Sequence, residues 1–138
     1  MPDTNTFTLH IRSADRDFYE GDCAALSLRL SDGELGLLAN HAPMVAAVVP
    51  GLLVYRTPTG ETVTAAAGSG IVRFADNDAL VLLDSIERPE EIDVNRARAA
   101  METAEAAVRE SRTKQERLKA RSDLERAKNR LKAAEGLS

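Results

Sequence analysis

The two histidines and the single cysteine are the first candidates in this sequence for a base, a metal ligand or a nucleophile. Cys23 could attack a substrate with His41 as its base. No further residue is placed to orient such a pair, and a lone cysteine is usually a small buried side chain. A zinc site built on His10 and His41 would need carboxylate ligands, and no such spacing is present. We therefore expect neither a catalytic residue nor a metal site.

The segment Gly68-Ser69-Gly70 could cradle a phosphate with its backbone N–H groups. That chemistry needs the positive end of a helix directly after the loop. The residues that follow, 71–74, are instead typical of a strand. The chain also lacks the G-x-x-x-x-G-K-[ST] pattern of a P-loop. We interpret the segment as a tight turn.

Composition divides the chain into two parts at Arg88-Pro89. Residues 1–87 contain 5 arginines, no lysine and 12 acidic residues, a net charge of −7, and all five aromatic residues. Residues 88–138 contain 13 basic and 10 acidic residues, a net charge of +3, with ten alanines and no aromatic residue. Such a change at one point indicates a domain boundary. We predict domains at 1–87 and 88–138, and the total charge of −4 argues against nucleic-acid binding.

The first part has the pattern of short strands. Apolar residues alternate with polar ones from Phe7 to Arg12 and from Leu26 to Ser31, which is the period of a half-buried strand. Further strands are predicted at 45–49, 52–57, 61–66, 70–74 and 79–86. Turn-forming residues separate them. Many short strands at this spacing predict an antiparallel sandwich or barrel.

The second part has the composition and spacing of helices, with Asp93 as a candidate for the first cap. Small apolar residues recur every three or four positions in two stripes: Ala97, Ala100, Met101, Ala104, Ala107 and Val108, then Ala120, Leu124, Ala127, Leu131 and Ala134. The polar residues between them include Ser111 and Thr113 as turn formers, but no Gly or Pro. One long helix is therefore the alternative. We predict a hairpin, because two short apolar stripes cover each other better than one long helix covers itself.

A hairpin lined by alanine should be held weakly. Alanine buries little area, so its seam gains far less free energy than a leucine seam. The helices themselves should be stable, because Ala, Glu, Arg and Lys have high helix propensity. We therefore hypothesise that the hairpin can detach as intact helices and dock elsewhere.

Four segments in order carry a resemblance to a known family: GELGLLANHAP at 33–43, AGSG at 67–70, ALVLLD at 79–84 and EEIDVNRA at 90–97. They resemble GELGILPNHAP, SGGF, VTVLAD and EEID-x-x-RA of the epsilon subunit of bacterial F-type ATP synthase. The resemblance implies an α+β fold, with an N-terminal antiparallel β-sandwich of about ten strands and a C-terminal antiparallel helical hairpin.

The resemblance also implies a function without catalysis. The sandwich would bind the gamma subunit and the c-ring on the rotating central stalk, and so help couple proton flow to ATP synthesis. The mobile hairpin would swing up into the alpha/beta catalytic hexamer and inhibit ATP hydrolysis. Glu34 and His41 match positions that contact the c-ring or gamma, with plain surface or turn roles as their alternative.

No apolar run approaches the roughly 18–20 residues that span a bilayer. The first residues also lack the pattern of a secretory signal. We therefore expect a cytosolic chain. The resemblance implies a peripheral subunit on the cytoplasmic face of a bacterial plasma membrane, with a plastid-encoded thylakoid chain as the alternative. In either case the subunit would meet the membrane only through its complex.

In several members of this family the docked hairpin binds ATP as a regulatory ligand, and no other cofactor is implied. The matching positions here are Glu87, Ile92, Asp93, Arg96, Ala97, Arg126 and Arg130. Arg126 and Arg130 are four residues apart and share a helix face. Thr103 stands where strong binders have a basic residue. The alternative for the two arginines is a solvated face paired with Asp123 and Glu125.

The competing function is a stand-alone adaptor with the same two domains, whose basic hairpin docks on an acidic partner outside any rotary motor. Co-purification with a gamma-type subunit would separate the two functions, because an isolated adaptor has no reason to bind it.

Overall fold

The computed structural model describes residues 5–136. Residues 1–4 and 137–138, the outer ends of the two predicted domains, lie outside this range. Within it, ten strands precede two helices, which confirms the predicted fold class. The strands are β1 (Phe7–Ser13), β2 (Arg16–Cys23), β3 (Ala25–Leu30), β4 (Gly33–Leu38), β5 (Met44–Val48), β6 (Gly51–Arg56), β7 (Thr62–Ala67), β8 (Gly70–Ala75), β9 (Asp78–Leu83) and β10 (Ile86–Glu87). A 3₁₀ turn at Pro89–Glu91 leads to α1 (Val94–Glu110) and α2 (Lys114–Ala134).

The strands form a nearly closed sandwich. Nine of them follow the order β10-β7-β6-β3-β5-β8-β9-β1-β2, and β4 pairs with β3. The ladder between β3 and β5 has a single residue pair, Leu30 with Val48, so the sheet folds over at this point. One ladder among the described strands departs from the antiparallel prediction, because β1 and β9 run parallel. These two strands are far apart in sequence, so no tight turn forces them to be antiparallel.

Three details of the strand prediction need correction. The sequence analysis did not predict β2 or β4 as strands. β4 has two glycines in six residues, which weakens its strand pattern. The predicted strand 79–86 is two strands, β9 and β10. They are separated because Asp84 and Ser85 leave the ladder, and the Asp84 carboxylate instead accepts a hydrogen bond from the Ser69 backbone N–H.

The core lies between the two layers of the sandwich and is filled by large apolar side chains. Phe7 and Phe74 meet edge to face with ring centroids 5.5 Å apart. Other side chains buried almost completely here are Leu9, Ile11, Leu26, Leu28, Leu37, Leu53, Val72 and Val81. Burying such side chains contributes about 1.5–3 kcal/mol each, so the sandwich is the strongly packed part of the chain.

The two helices form the predicted hairpin. The Asp93 side chain accepts a hydrogen bond from the Arg96 N–H and caps α1, as expected. Three residues, 111–113, then connect α1 to α2. Thr113 caps α2 by accepting from the Glu116 N–H, and the Glu116 carboxylate accepts from the N–H of Arg112. The single long helix is wrong because these caps start a second helix.

α2 buries two faces at once. The buried apolar residues along the two helices are mostly alanine: Ala97, Ala104, Ala120 and Ala127, with Leu131. Ala97 and Leu131 also pack with Ala66 of the sandwich. Asn129 and Ala133 are also buried, two positions on from Ala127 and Leu131. Residues two apart do not share a helix face. α2 therefore packs on the sandwich with a second face that the seam with α1 does not use.

The 3₁₀ turn is bound to β2 by an ion pair. The Arg16 guanidinium donates to both Glu91 carboxylate oxygens, at 2.7 and 2.9 Å, and to the Ile86 carbonyl at 2.6 Å. Arg16 and Arg88 also lie over the Phe18 ring, with guanidinium carbons 5.2 and 4.6 Å from its centroid. Residues 88–91 are therefore attached to the sandwich before α1 begins.

The ion pair predicts a specific acid dependence of stability. The hydrogen bonds from Arg16 lower the pKa of Glu91 from 4.5 to about 2. A carboxylate whose pKa is lower in the folded state stabilises it fully above the unfolded value and loses that contribution as the pH falls through the folded value. Glu91→Gln should therefore cost about 0.5–1 kcal/mol at neutral pH, since the pair is partly exposed. As the pH falls from about 4.5 to about 2, the difference in stability between Glu91→Gln and the unmodified chain should shrink to zero.

Thermal unfolding of both proteins across this pH range measures the effect. Glu90→Gln is the matched control, because Glu90 forms no ion pair within residues 5–136. A difference that stays constant with pH, or an equal effect of the control, would contradict the prediction.

Candidate functional site

Three polar side chains of α2 reach the sandwich from one helix face. Arg126, Asn129 and Arg130 have the i, i+3, i+4 spacing that places residues side by side. We call these three residues and Ala133 the docking face. Arg126 Nη2 donates to Asp84 Oδ2 at 3.0 Å and to Ser69 Oγ at 3.1 Å. The face is therefore held by specific polar contacts as well as by packing.

Asn129 is the buried polar member of the docking face, with 8% of its surface exposed. Its side-chain amide donates to the carbonyls of Gly51, at 2.8 Å, and Ala67, at 3.2 Å. These carbonyls belong to paired residues of β6 and β7. The sequence analysis missed Asn129, because a helical asparagine is usually solvated. Asn129 and Ala133 are four residues apart and so share a helix face, which differs from the face of the alanine stripe. This spacing could have indicated that Asn129 contacts another element.

Arg130 completes the docking face with an ion pair to the last strand. Its Nε atom donates to Glu87 Oε1 at 2.6 Å. Arg126 and Arg130 therefore pair with sandwich carboxylates, and not with Asp123 or Glu125 as in the solvated alternative. Asp123 pairs with Lys119.

The glycine-rich segment joins β7 to β8, in agreement with the turn interpretation. Its glycines are needed for space. A Cβ atom on Gly68 would collide with the Asp84 carboxylate and would lie 3.2 Å from Arg126 Nη1. A Cβ atom on Gly70 would collide with the Leu82 carbonyl oxygen. The turn therefore leaves room for the ion pair between Asp84 and Arg126.

Six of the seven residues predicted to bind ATP line one cleft beside the start of α1. The cleft encloses roughly 520 Å³, part of it open to solvent. Its lining residues are Glu87, Glu91, Ile92, Asp93, Arg96, Ala97 and Arg130. Arg126 lies outside the cleft, in a narrow gap between α2 and the sandwich that it shares with Arg130 and Glu87. The fold thus brings the two halves of the predicted site together.

The charges around this cleft are unequally available. Ion pairs already hold Arg130 and Glu91. The Arg96 side chain is exposed, and within residues 5–136 no carboxylate pairs with it. Thr103 lies apart from this cleft, in the groove between the helices near Arg126. Arg96 is therefore the cleft's most accessible cation for a phosphate.

Glu34 is the second residue of β4, and His41 lies three residues after the end of that strand, with roughly 13 Å of strand between Glu34 and Leu38. Glu34 is exposed and lines a pocket with Arg29 and Lys128. His41 is half-buried, with Nδ1 2.7 Å from the Ala42 carbonyl oxygen and its ring 5.6 Å from that of Phe74.

The side chains with nucleophilic or ligand chemistry are engaged in structural contacts. The Cys23 thiol is buried and donates to the Ala25 carbonyl at 3.1 Å, and burial raises its pKa, which favours the protonated form. His10 lies between Glu20 and Asp78, at 2.8 and 3.1 Å. Within residues 5–136, no group of three or more acidic, His or Cys side chains is placed to hold a metal ion. Neither α1 nor α2 is apolar enough to cross a membrane.

Two family models match consecutive parts of the chain. The model described as the beta-sandwich domain of the ATP synthase Delta/Epsilon chain matches residues 6–89. The model described as the long alpha-helix domain of the same chain matches residues 90–135.

Individual relatives agree with these models. An ATP synthase epsilon chain of Ruminiclostridium cellulolyticum is 37% identical over 93% of this chain and 95% of its own length. The ATP synthase epsilon chain of Halalkalibacterium halodurans is 38% identical over 92% of this chain and 97% of its own length. A chain in the cryo-EM structure of Euglena gracilis mitochondrial ATP synthase has the same fold, with a TM-score of 0.80 at 24% identity over 90% of this chain and 78% of its own. On the family models and these identities together, the chain belongs to the family of ATP synthase epsilon chains.

Proposed function

We propose that the chain is a non-catalytic central-stalk subunit of a proton-translocating ATP synthase, and that its hairpin inhibits ATP hydrolysis. Family membership supports the stalk role over a stand-alone adaptor. The observation that carries the inhibitory role is the way the hairpin docks: one polar face of α2 and a small apolar cluster attach it to a much better packed sandwich.

The free energies of these contacts support a detachable hairpin. Its apolar cluster with the sandwich contains no aromatic side chain and consists of Ala66, Ile92, Ala97, Leu131 and Ala133, with the partly buried Leu52, Val94, Met101 and Ala134 against them. The ion pairs of Arg126 and Arg130 are partly exposed, and such pairs contribute about 0–1 kcal/mol each. Undocking therefore loses few strong interactions. The helices can persist when released, because their composition favours helix without the sandwich.

The sandwich offers two kinds of surface for the proposed partners. Val45, Ile71 and Leu82 are exposed on the neighbouring strands β5, β8 and β9. Clustered exposed apolar residues mark protein interfaces, so we assign this surface to the gamma subunit. The ends of the sandwich that carry Glu34 and His41 would provide the c-ring and further gamma contacts. The chain would then meet the cytoplasmic face of the membrane only through the complex.

The released hairpin would contact the alpha/beta hexamer. Removing residues 93–138 from the subunit in purified ATP synthase should therefore raise the rate of ATP hydrolysis several-fold, because the inhibiting element is lost. The cut is placed after residues 88–91, which remain bound to β2. Hydrolysis assays on complexes reconstituted with full-length and shortened chains measure this. An unchanged rate, with the shortened chain still in the complex, would rule out inhibition by the hairpin.

We further propose that ATP binds the docked hairpin as a regulatory ligand in the cleft beside α1. Arg96 supplies a cation there that pairs with no carboxylate of residues 5–136, and Arg126 and Arg130 lie close enough in the fold to add charge. Sensing cellular ATP requires a Kd of only about 1 mM, or about −4 kcal/mol. A few charge-assisted hydrogen bonds can supply that free energy.

Arg96→Gln should weaken ATP binding by about tenfold, the effect of losing one charge-assisted contact. Arg98→Gln removes the same charge two positions away on α1 and should leave the Kd unchanged. Calorimetric titration of the full chain measures both. Equal effects of the two variants would exclude the cleft, and no binding by the unmodified chain up to about 10 mM would exclude the ATP ligand.

A further inference from the structure

We propose that Asp84 and Ser69 form a receptor for Arg126 that keeps the hairpin docked without nucleotide, and that Asp84 competes with phosphate for this arginine. The proposal that Asp84 and Ser69 hold the docked hairpin is argued from the contacts of Arg126 alone. The competition part rests on the proposed ATP site.

The receptor joins two turns of the sandwich. Asp84 lies in the break between β9 and β10, and Ser69 lies in the turn between β7 and β8. The Ser69 N–H donates to Asp84 Oδ1 at 2.9 Å, and the Asp84 N–H donates to the Ser69 carbonyl at 2.8 Å. These bonds are internal to the sandwich. The carboxylate is therefore oriented independently of α2.

Arg126 uses the acceptors that this arrangement leaves free. Its Nη2 atom donates to Asp84 Oδ2 and to Ser69 Oγ, at 3.0 and 3.1 Å. The two carboxylate oxygens thus have separate roles: Oδ1 holds the turn and Oδ2 holds the helix. Because the receptor is already oriented, docking mainly orders the arginine side chain, and no ligand is needed to complete the contact.

Gly68 provides the space for this contact. A Cβ atom there would collide with Asp84 Oδ1 and crowd Arg126 Nη1 at 3.2 Å. The backbone of Gly68 is itself fixed, because its N–H donates to the Ser85 carbonyl at 2.9 Å. A methyl group at this position would therefore displace the carboxylate from the arginine without changing any charge.

Competition follows from the chemistry of the guanidinium. A carboxylate and a phosphate bind the same planar set of N–H donors. While Arg126 donates to Asp84, it is less available to a triphosphate. Asp84 should thus strengthen docking and weaken ATP binding. A residue with only a structural role would change both in the same direction, so the opposite signs distinguish the proposal.

The test compares Asp84→Asn with the unmodified full chain. Asparagine keeps an oxygen for the Ser69 N–H but removes the charge that binds Arg126. Without nucleotide, amide hydrogen exchange in α2 should become about two- to fivefold faster, the range expected for a partly exposed ion pair. In titrations, the Kd for ATP should fall by a similar factor, provided the hairpin remains mostly docked.

Three further variants complete the experiment. Asp76→Asn removes the same charge from the turn before β9, at the opposite end of that strand from Asp84, and should change neither quantity. Gly68→Ala should speed exchange in α2 without any change of charge. Arg126→Gln should speed exchange as well, and Asp84→Asn should add little to it, because coupled residues do not act additively.

Each outcome bears on one part of the proposal. Unchanged exchange in Asp84→Asn, or additive effects of the Asp84 and Arg126 variants, would overturn the receptor. If Asp84→Asn speeds exchange in α2 but leaves the Kd for ATP unchanged or raises it, the receptor is supported and the competition with phosphate is overturned. Faster exchange in chains that bind no ATP at all would support the receptor and count against the ATP site proposed above.

Discussion

The contact of the Asn129 amide with the carbonyls of Gly51 and Ala67 is the constraint on which the arrangement of the hairpin depends. A buried amide must satisfy its donors, so α2 has one register on the end of the β6–β7 ladder. In that register Arg126 lies one turn earlier, beside Asp84, and Arg130 follows directly, beside Glu87. One buried polar residue therefore positions both ion pairs.

The chain combines two levels of stability. The sandwich is filled by aromatic and branched aliphatic side chains from all its layers. The hairpin has alanine in its seam and partly exposed ion pairs on its docking face. Segments with few buried apolar contacts open at lower free energy than a core does. Such a difference is what an element that leaves its docking site without unfolding its domain requires.

The bond between Arg16 and Glu91 decides where movement of the hairpin would begin. Glu91 is bonded to Arg16 of β2, and the Arg88 guanidinium lies over the Phe18 ring, so the chain is attached to the sandwich up to Glu91. The residues of the proposed ATP cleft come directly after this point. A ligand bound there would lie directly beside this point of attachment.

Most of the fold follows from sequence patterns, because alternation and helical spacing are local properties of the chain. The sequence was enough for the strands at Phe7–Ser13 and Ala25–Leu30, the cap at Asp93 and the division into two helices. The parallel pairing of β1 with β9 and the break at Asp84 could not be predicted from the sequence, because both depend on contacts between distant segments.

The same limit applies to the site. The sequence alone determined which residues could carry charge: the arginines of α2 and the acidic residues before α1. Only the tertiary structure decided that Arg126 and Arg130 meet Asp84 and Glu87, and that Asn129 is buried between them. Helical spacing shows which side chains share a face, but the partner of that face is chosen by how separate elements pack together.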